Sequence, residues 1–387
     1  MWVKDRHTIT FAILRPIFRI VLHFLYHLKV KKYKLNKNPH IIISNHQTTL
    51  DPFILALSFN KPIYFMASRD LFNKGFRSRL IKYLVAPIPK NKSLNDIGAV
   101  KDCLRVVKEG GNIAIFPEGN RTYSGKLCYI DPAIVKLIQH LNIPVICYNI
   151  HGGYGTSPRW ASHISKGKMC GEVKCIINPN EYHELTNEEF YNMLIKAIDV
   201  SDAPSIVPFH SSKRAEKLER VLYLCPSCHQ VGSLYTKGSM IQCKKCQLSV
   251  QYTPNLTFQG SIDFHTVNDW YQYQVEYINN YQFNDDDEFI FTDQEVCLYE
   301  INHNKTILLG LGTISISKKH FIFCSKEFTI YFKIPEVMSM TVVGKHKLHF
   351  YVGIKTYQIK GKSTLNVLKY MQMFYRIKGV NNEFFRL

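Results

Sequence analysis

Four cysteines in the middle of the chain constrain its folding more than any other feature. Cys225 and Cys228 make one Cys-x2-Cys pair and Cys243 and Cys246 a second, with fourteen residues between the pairs. Each pair can chelate from a tight knuckle and the interval fits a short hairpin, so four thiolates can converge tetrahedrally on one zinc ion. A site with four sulfurs is closed, which makes the metal structural rather than catalytic. His229 is adjacent, but the four thiols are better placed as ligands. The other seven cysteines are scattered without a pairing pattern. Together with the absence of a recognisable signal peptide, that predicts a reducing cytoplasm and no structural disulfides.

This ribbon divides a chain too long for one domain, 387 residues with 46% hydrophobic content. The formal net charge is +19, and it is unevenly placed. Residues 1–100 carry 17 Lys/Arg against 4 Asp/Glu, residues 251–300 carry none against 10, and residues 301–387 carry 14 against 3. A basic front, an acidic belt and a basic tail suit attraction to an anionic membrane or to nucleic acid.

Within the basic front, the segment FAILRPIFRIVLHFLYHLK repeats Arg15, Arg19, His23 and His27 every four positions. On a helix these form one polar stripe within a wide apolar surface built from Ile13, Leu14, Ile17, Phe18, Ile20, Val21, Leu22, Phe24, Leu25 and Leu28. A spanning helix needs about 20 mostly uncharged residues, so the pattern predicts a helix lying in the membrane interface. Lys29, Lys31, Lys32, Lys34 and Lys37 follow and would meet anionic headgroups.

Beyond it the pattern alternates. Short apolar, β-rich runs at 40–44, 63–67, 113–116 and 143–150 are separated by helical patterns near 71–84, 94–109 and 132–141. This predicts an α/β domain with a substantially parallel sheet. Two of the runs end in unusually polar loops, IIISNHQTTLD and NIAIFPEGNRTYSGK. Ligands in open α/β sheets gather at the carboxyl ends of strands, which makes His46 and Arg121 candidates for one crevice. Asp51 followed by Pro52 also reads as a helix N-cap with Pro in the first turn.

At these residues the chain resembles the glycerolipid acyltransferase family, whose best-known members acylate lysophosphatidic acid. Asn45, His46 and Asp51 match its first motif. Phe116, Pro117, Glu118, Gly119 and Arg121 match a later one, with Asn120 and Thr122 in place of the usual Thr and Ser. The stretch from Phe65 to Ser93 is similar to the family's acceptor-binding segment, with Arg69 at a basic position and Lys90 where Arg is common. IPVICYNIHGG, with Pro144, is similar to its fourth motif. The resemblance spans about residues 10–200. It implies transfer of an acyl group from acyl-CoA or acyl-carrier protein to the free hydroxyl of a lysophospholipid, with 1-acylglycerol 3-phosphate as the default acceptor. His46 and Asp51 are then the catalytic pair, and Arg69, Glu118, Gly119, Arg121 and Pro144 bind substrate. A glycerol hydroxyl is a poor nucleophile near neutral pH, so the reaction needs a base; His46 suits that task and Asp51 can fix its tautomer. Arg121 offers a planar fork that matches phosphate, and Glu118 an orienting partner for it or for the acceptor hydroxyl.

The expected organisation is a membrane-associating segment at 1–35, an α/β acyltransferase domain at 36–210, a linker helix at 211–220 and a zinc ribbon at 221–254. A mainly-β domain closed by a helix follows at 255–387. Its runs EFIFT, VCLYE, GTISIS, HFIFC, FTIYF, SMTVV, KLHFYV and TYQIK, then the helical STLNVLKYMQMFYRIKG, are similar to a pleckstrin-homology-like domain. The functional expectation is a peripheral or monotopic enzyme on the cytoplasmic face of a membrane. The competing class is a zinc-ribbon nucleic-acid-binding protein without acyl transfer. It is the weaker, because nucleic-acid binding requires neither the amphipathic segment nor the His/Asp and Glu/Arg pairs.

Overall fold

The computed structural model describes residues 1–380 except 74, 91–95, 287 and 303–304, with backbone only at 70, 73 and 77. The end of the expected acceptor-binding segment, from Asn91, and Asp287 of the acidic belt therefore lie outside the described residues. The chain forms two compact units, one of residues 1–158 and 165–210, the other of residues 159–164 and 211–387.

The first unit opens with a helix, α1 (Asp5–Tyr26), and a short strand, β1 (Leu28–Val30). The alternation read from sequence follows as β2 (Ile41–Ser44), α2 (Asp51–Ser58), β3 (Ile63–Ser68), α3 (Phe76–Val85), β4 (Ile88–Lys90), α4 (Ile97–Lys108), β5 (Asn112–Ile115), α5 (Ala133–Leu141) and β6 (Val145–His151). A single helical turn, α6 (Gly153–Thr156), precedes β7 (Met169–Ile177), α7 (Pro179–His183) and α8 (Asn187–Ile198). The strands form one sheet in the order β1-β7-β6-β2-β5-β3-β4. Strands β6, β2, β5, β3 and β4 run parallel; β7 returns antiparallel to β6 and carries β1 parallel to itself.

Alternation along the strands divides the core between two faces. Ile41, Ile43, Ile113, Ile115, Val145 and Cys147 pack under α4, α5 and α8, while Ile42, Ala114, Ile146, Tyr148 and Ile150 pack under α1 and α2. Both faces are covered, which is why β2 and β5 read as unbroken apolar runs.

The two arginines of the α1 polar stripe turn inward, while His23 and His27 stay exposed. Arg15 and Arg19 each donate from Nη2 to the Leu57 carbonyl at 3.2 Å, placing two cations at the negative end of α2. Ile9, Ile13, Ile17, Ile20, Phe24 and Leu25 are left exposed on the outside. Contrary to the expectation from sequence, α1 is also long and apolar enough to cross a bilayer by length and composition.

In the second unit, β8 (Leu234–Lys237), β9 (Met240–Cys243), β10 (Ser249–Tyr252) and β11 (Phe258–Gln259) make a small antiparallel sheet, followed by α9 (Val267–Asn279). A larger antiparallel sheet contains β12 (Phe291–Asn302), β13 (Lys305–Ile316), β14 (His320–Ser325), β15 (Thr329–Lys333), β16 (Val337–Val343), β17 (Lys347–Val352) and β18 (Lys355–Lys360), and α10 (Leu368–Ile377) follows it. Its order is β15-β14-β13-β12-β18-β17-β16, so the first strand of the series pairs with the last.

Two expectations fail in this unit. Residues 211–220 are not a helix but a run of turns ending in one 3-10 turn at Leu218–Arg220. Lys217 sits at φ +77°, and the Arg214 side chain bonds the carbonyls of Ser211 and Tyr252 instead of lying along a helix face. Phe291 and Thr292 at the end of EFIFT join VCLYE in one strand, β12, interrupted by an irregularity between Asp293 and Val296 where Glu295 adopts φ +57°.

Candidate functional site

The site lies where β2, β3 and β5 release their chains at the same end of the sheet. After Ser44 the backbone leaves β2, and Asn45 replaces the lost ladder with its own amide. Its Nδ2 donates to the Ile150 carbonyl at 2.8 Å, and its Oδ1 accepts from the Ile150 N–H at 2.9 Å. This pins the loop to β6 and turns His46 away from the sheet.

His46 is then gripped twice by the loop after β5. Its N–H donates to Glu118 Oε1 at 2.5 Å, and its carbonyl accepts from the Thr122 N–H at 3.0 Å. The imidazole stacks on Phe116, with ring centroids 4.4 Å apart. His46 Nδ1 lies 2.7 Å from Asp51 Oδ2. Asp51 is fully buried and also accepts from the Gln47 N–H at 2.6 Å, the Thr48 N–H at 2.9 Å and Thr48 Oγ1 at 2.7 Å. Four donors converge on one carboxylate, so its position is fixed from all sides. Asp51 is not the N-cap expected from sequence; Leu50 holds that position, and the carboxylate turns back onto the preceding loop. With Nδ1–H held by Asp51, Nε2 is the basic atom of the ring, and the arrangement can accept a proton from a hydroxyl.

Glu118 has a role that sequence reasoning missed. Its second oxygen accepts from the Cys128 N–H at 2.8 Å, so the carboxylate joins two backbone segments. Burial pushes its pKa up to about 8 against the lowering effect of the Cys128 and His46 donors, with the nearby Asp51 charge also raising it. The only advance signal was the motif, since spacing does not reveal that a side chain will bond main chain. Gly119 closes the turn that presents Glu118, with φ +65° and its N–H bonded to the Phe116 carbonyl at 3.0 Å. A β-branched residue would be strained there.

A narrow cavity, without room for a water molecule, is lined by Asn45, His46, Gln47, Glu118, Thr122 and Lys126, among others. Lys126 and Val200 in its wall were not singled out from sequence. Arg121 follows Gly119 in the same loop and is half-buried. Arg69 is exposed in the 3-10 turn after β3, at the carboxyl end shared with His46. Pro144 is not brought to this end. It precedes β6, and its carbonyl accepts from the Ile41 N–H at 3.0 Å, at the amino ends of the paired strands β2 and β6. Parallel register puts the start of β6 beside the start of β2, the far side of the sheet from His46.

Cys225, Cys228, Cys243 and Cys246 converge in the second unit. Their sulfurs all lie within 4.8 Å of one another, with Cys225–Cys246 and Cys228–Cys243 each 3.7 Å apart. A tetrahedron of thiolates about 2.3 Å from a metal has edges of about 3.8 Å, so the set fits a four-sulfur metal site. The Lys245 N–H donates to Cys243 Sγ at 3.3 Å, as suits a sulfur carrying negative charge. His229 is directed elsewhere, its Nδ1 2.6 Å from Tyr273 Oη.

Comparison with known proteins places this geometry. Residues 26–151 match the family model described as Acyltransferase. Over 207 residues the chain is 26% identical to the probable 1-acyl-sn-glycerol-3-phosphate acyltransferase of Mycoplasma genitalium, covering 49% of this chain and 76% of that protein. Over 141 residues it is 29% identical to the chloroplastic 1-acyl-sn-glycerol-3-phosphate acyltransferase LPAT1 of Arabidopsis thaliana, covering 36% and 38%. The crystal structure of the 1-acyl-sn-glycerophosphate (LPA) acyltransferase PlsC from Thermotoga maritima aligns with a TM-score of 0.41 and 18% identity, covering 49% of this chain and 76% of that one. The motifs around His46 and Glu118, the family match and these sequence relatives agree: residues 26–151 match the Acyltransferase family, and the first half of the chain is similar to 1-acyl-sn-glycerol-3-phosphate acyltransferases.

Proposed function

We propose that this protein transfers a fatty acyl group from acyl-CoA or acyl-carrier protein to the free hydroxyl of 1-acylglycerol 3-phosphate, giving phosphatidic acid. The observation that carries the reading is the His46 Nδ1–Asp51 Oδ2 contact of 2.7 Å at the carboxyl end of β2, in a chain whose relatives are named for this activity. His46 Nε2 takes the proton of the attacking hydroxyl as its oxygen bonds to the thioester carbonyl. The adduct then collapses, its C–S bond breaks, and the departing thiolate takes that same proton from the imidazolium to leave as the thiol. Asp51 holds the tautomer and stabilises the imidazolium. Arg121, with Arg69 in support, contacts the acceptor phosphate. Glu118 and Gly119 shape the loop that carries Arg121.

The remaining modules serve this reaction from outside. The outward apolar face of α1 lies in the bilayer interface on the cytoplasmic side, and the lysines after it meet anionic headgroups. The docking of Arg15 and Arg19 onto α2 supports an interfacial helix over a spanning one. Cys225, Cys228, Cys243 and Cys246 would hold one zinc ion, which when bound cross-links the ribbon and supplies no step of the reaction. The order of the large sheet, with its first and last strands paired and a helix following, supports a pleckstrin-homology-like reading of residues 255–387. The test is a panel of lysolipids and glycerol 3-phosphate, each paired with both thioester donors and read by mass spectrometry. Phosphatidic acid from 1-acylglycerol 3-phosphate is expected. No acylated product from any pair would sink the reading.

A further inference from the structure

Forty-nine residues beyond the end of the family match, after α8, the chain returns to the His46 cavity as an irregular segment. Val200 lines the cavity. Two residues later Asp202, buried, spreads its carboxylate over the turn that follows β6. Its Oδ1 accepts from the Gly152 N–H at 2.9 Å and its Oδ2 from the Tyr154 N–H at 3.2 Å. The same turn is held from its other side by Gln47, whose Oε1 accepts from the N–H groups of Gly153 at 3.0 Å and Tyr154 at 3.2 Å. The Tyr154 N–H is thus shared between Asp202 and Gln47.

Gln47 is the residue after His46, and its own N–H is one of the four donors fixing Asp51. A continuous chain of hydrogen bonds therefore runs from Asp202 through the turn 152–154 and Gln47 to Asp51, and from there to the imidazole. The turn cannot relax away from it. Gly152 has φ +76°, and a Cβ there would meet the Lys168 carbonyl oxygen at 2.1 Å; a Cβ on Gly153 would meet Gln47 Oε1 at 2.6 Å. Only glycine fits at 152, where the obstacle is backbone, while at 153 a Cβ would push the Gln47 amide aside. Burying a carboxylate is costly without compensation, and here the compensation is spent on two main-chain donors beside the catalytic loop rather than on a cation.

We infer that Asp202 is a positioning residue for acyl transfer, acting through the turn 152–154 and Gln47 to hold the His46–Asp51 pair in its reactive geometry. The inference rests on the proposed acyltransferase reading of that pair. It assigns part of the working site to a segment outside the matched family region.

The experiment compares wild type, Asp202→Asn, Gln47→Met and the double variant in steady-state acyl transfer to 1-acylglycerol 3-phosphate, with thermal melting of each. Asp202→Asn removes the charge and replaces one acceptor oxygen with a donor at nearly constant volume. It is expected to lower kcat on the order of tenfold, because small misplacements of reacting groups have large effects, with KM for both substrates within about twofold. Gln47→Met reads the same clamp from its other side and is expected to lower kcat comparably. It stands in for Asp202→Asn should that variant not fold. The double variant is expected to lose no more than about threefold beyond the worse single one, since both act on one turn. Full kcat in folded Asp202→Asn, a rise in KM alone, or multiplicative losses in the double variant would each overturn the inference. A wild type with no acyl transfer, or a His46→Ala variant with full activity, would instead refute the function on which it rests.

Discussion

At the scale of single residues, His46 does two things at once: its ring bonds Asp51 while its backbone N–H and carbonyl hold the loop after β5. His46→Ala should remove the base and keep the backbone contacts, costing on the order of 10²–10⁴ in turnover with folding intact, as measured by kcat beside a thermal melt. Arg121→Ala should weaken phosphate-bearing acceptors more than a monoacylglycerol, and equal losses with both would exclude a phosphate role. Glu118 yields a prediction in pH. Burial raises its pKa in the folded protein to about 8, above the ordinary carboxylate value it has when unfolded. Its contribution to stability is therefore fullest below about pH 4.5 and is lost as pH rises through about 8. Subtracting the melting curves of Glu118→Gln from those of wild type across this window should leave a difference that moves against wild type with rising pH. A difference independent of pH would mean that the carboxyl is charged throughout.

The elements show how a correct pattern can acquire an unexpected orientation. The four-residue repeat of Arg15, Arg19 and His23 marks a helix face, and periodicity alone leaves open what that face meets. The two arginines find the Leu57 carbonyl, and His23 Nδ1 lies 3.3 Å from the Leu28 carbonyl. The apolar face is the free one. Replacing Ile13, Ile17 and Phe24 together by Ser should lower binding to anionic vesicles by on the order of tenfold per residue, at about 1.5 kcal/mol each, without altering the melt. Flotation with vesicles reads this directly, and unchanged binding would move the membrane contact elsewhere. The same lesson holds at 211–220, where the pattern is basic and helix-like. Arg220 is instead buried, donating from Nη1 to the Trp160 carbonyl at 2.7 Å and from Nε to the Ser363 carbonyl at 2.6 Å. Tertiary partners outweighed helix propensity there.

For the molecule as a whole, the four-cysteine segment is not an independent spacer. Within the second unit Gln274 of α9 accepts from the Tyr223 and Leu224 N–H groups, Trp270 donates to the Leu224 carbonyl, and Tyr223 Oη bonds Gln372 of α10. The segment leading into Cys225 is thus part of the core that supports α9 and α10. Cys243→Ser should release zinc and lower the melting transition of the second unit while leaving the first in place, with about 10–16 kcal/mol of apparent metal-binding energy at stake. Zinc stoichiometry beside calorimetry tests this; one zinc per wild-type chain is expected. A truncation at residue 215 faces a specific obstacle. Residues 159–164 belong to the second unit, with Trp160 fully buried against Tyr252 and Arg159 donating to the Val342 carbonyl at 2.8 Å. Such a fragment should be soluble only with that loop replaced by polar residues.

The sequence by itself determined what depends on local order. Apolar runs at fixed periods marked β2, β3, β5, β6, α4 and α5 to within a few residues, because covering both faces of a parallel sheet leaves its strands unbroken. The spacing of Cys225, Cys228, Cys243 and Cys246 marked a convergent cluster, because each pair forms its own knuckle. His46 and Asp51 were legible because a loop five positions long suffices to bring them together, from residue 46 to residue 51. Only the tertiary structure decided which groups meet from afar. Glu118 binds the His46 backbone across 72 positions, Asp202 reaches Gly152 across 50, and Pro144 falls at the opposite end of the sheet from His46. These pairings follow from strand order and register, which periodicity does not encode. A carboxylate that bonds main-chain N–H groups has no sequence partner to betray it, since every residue but proline offers the same donor.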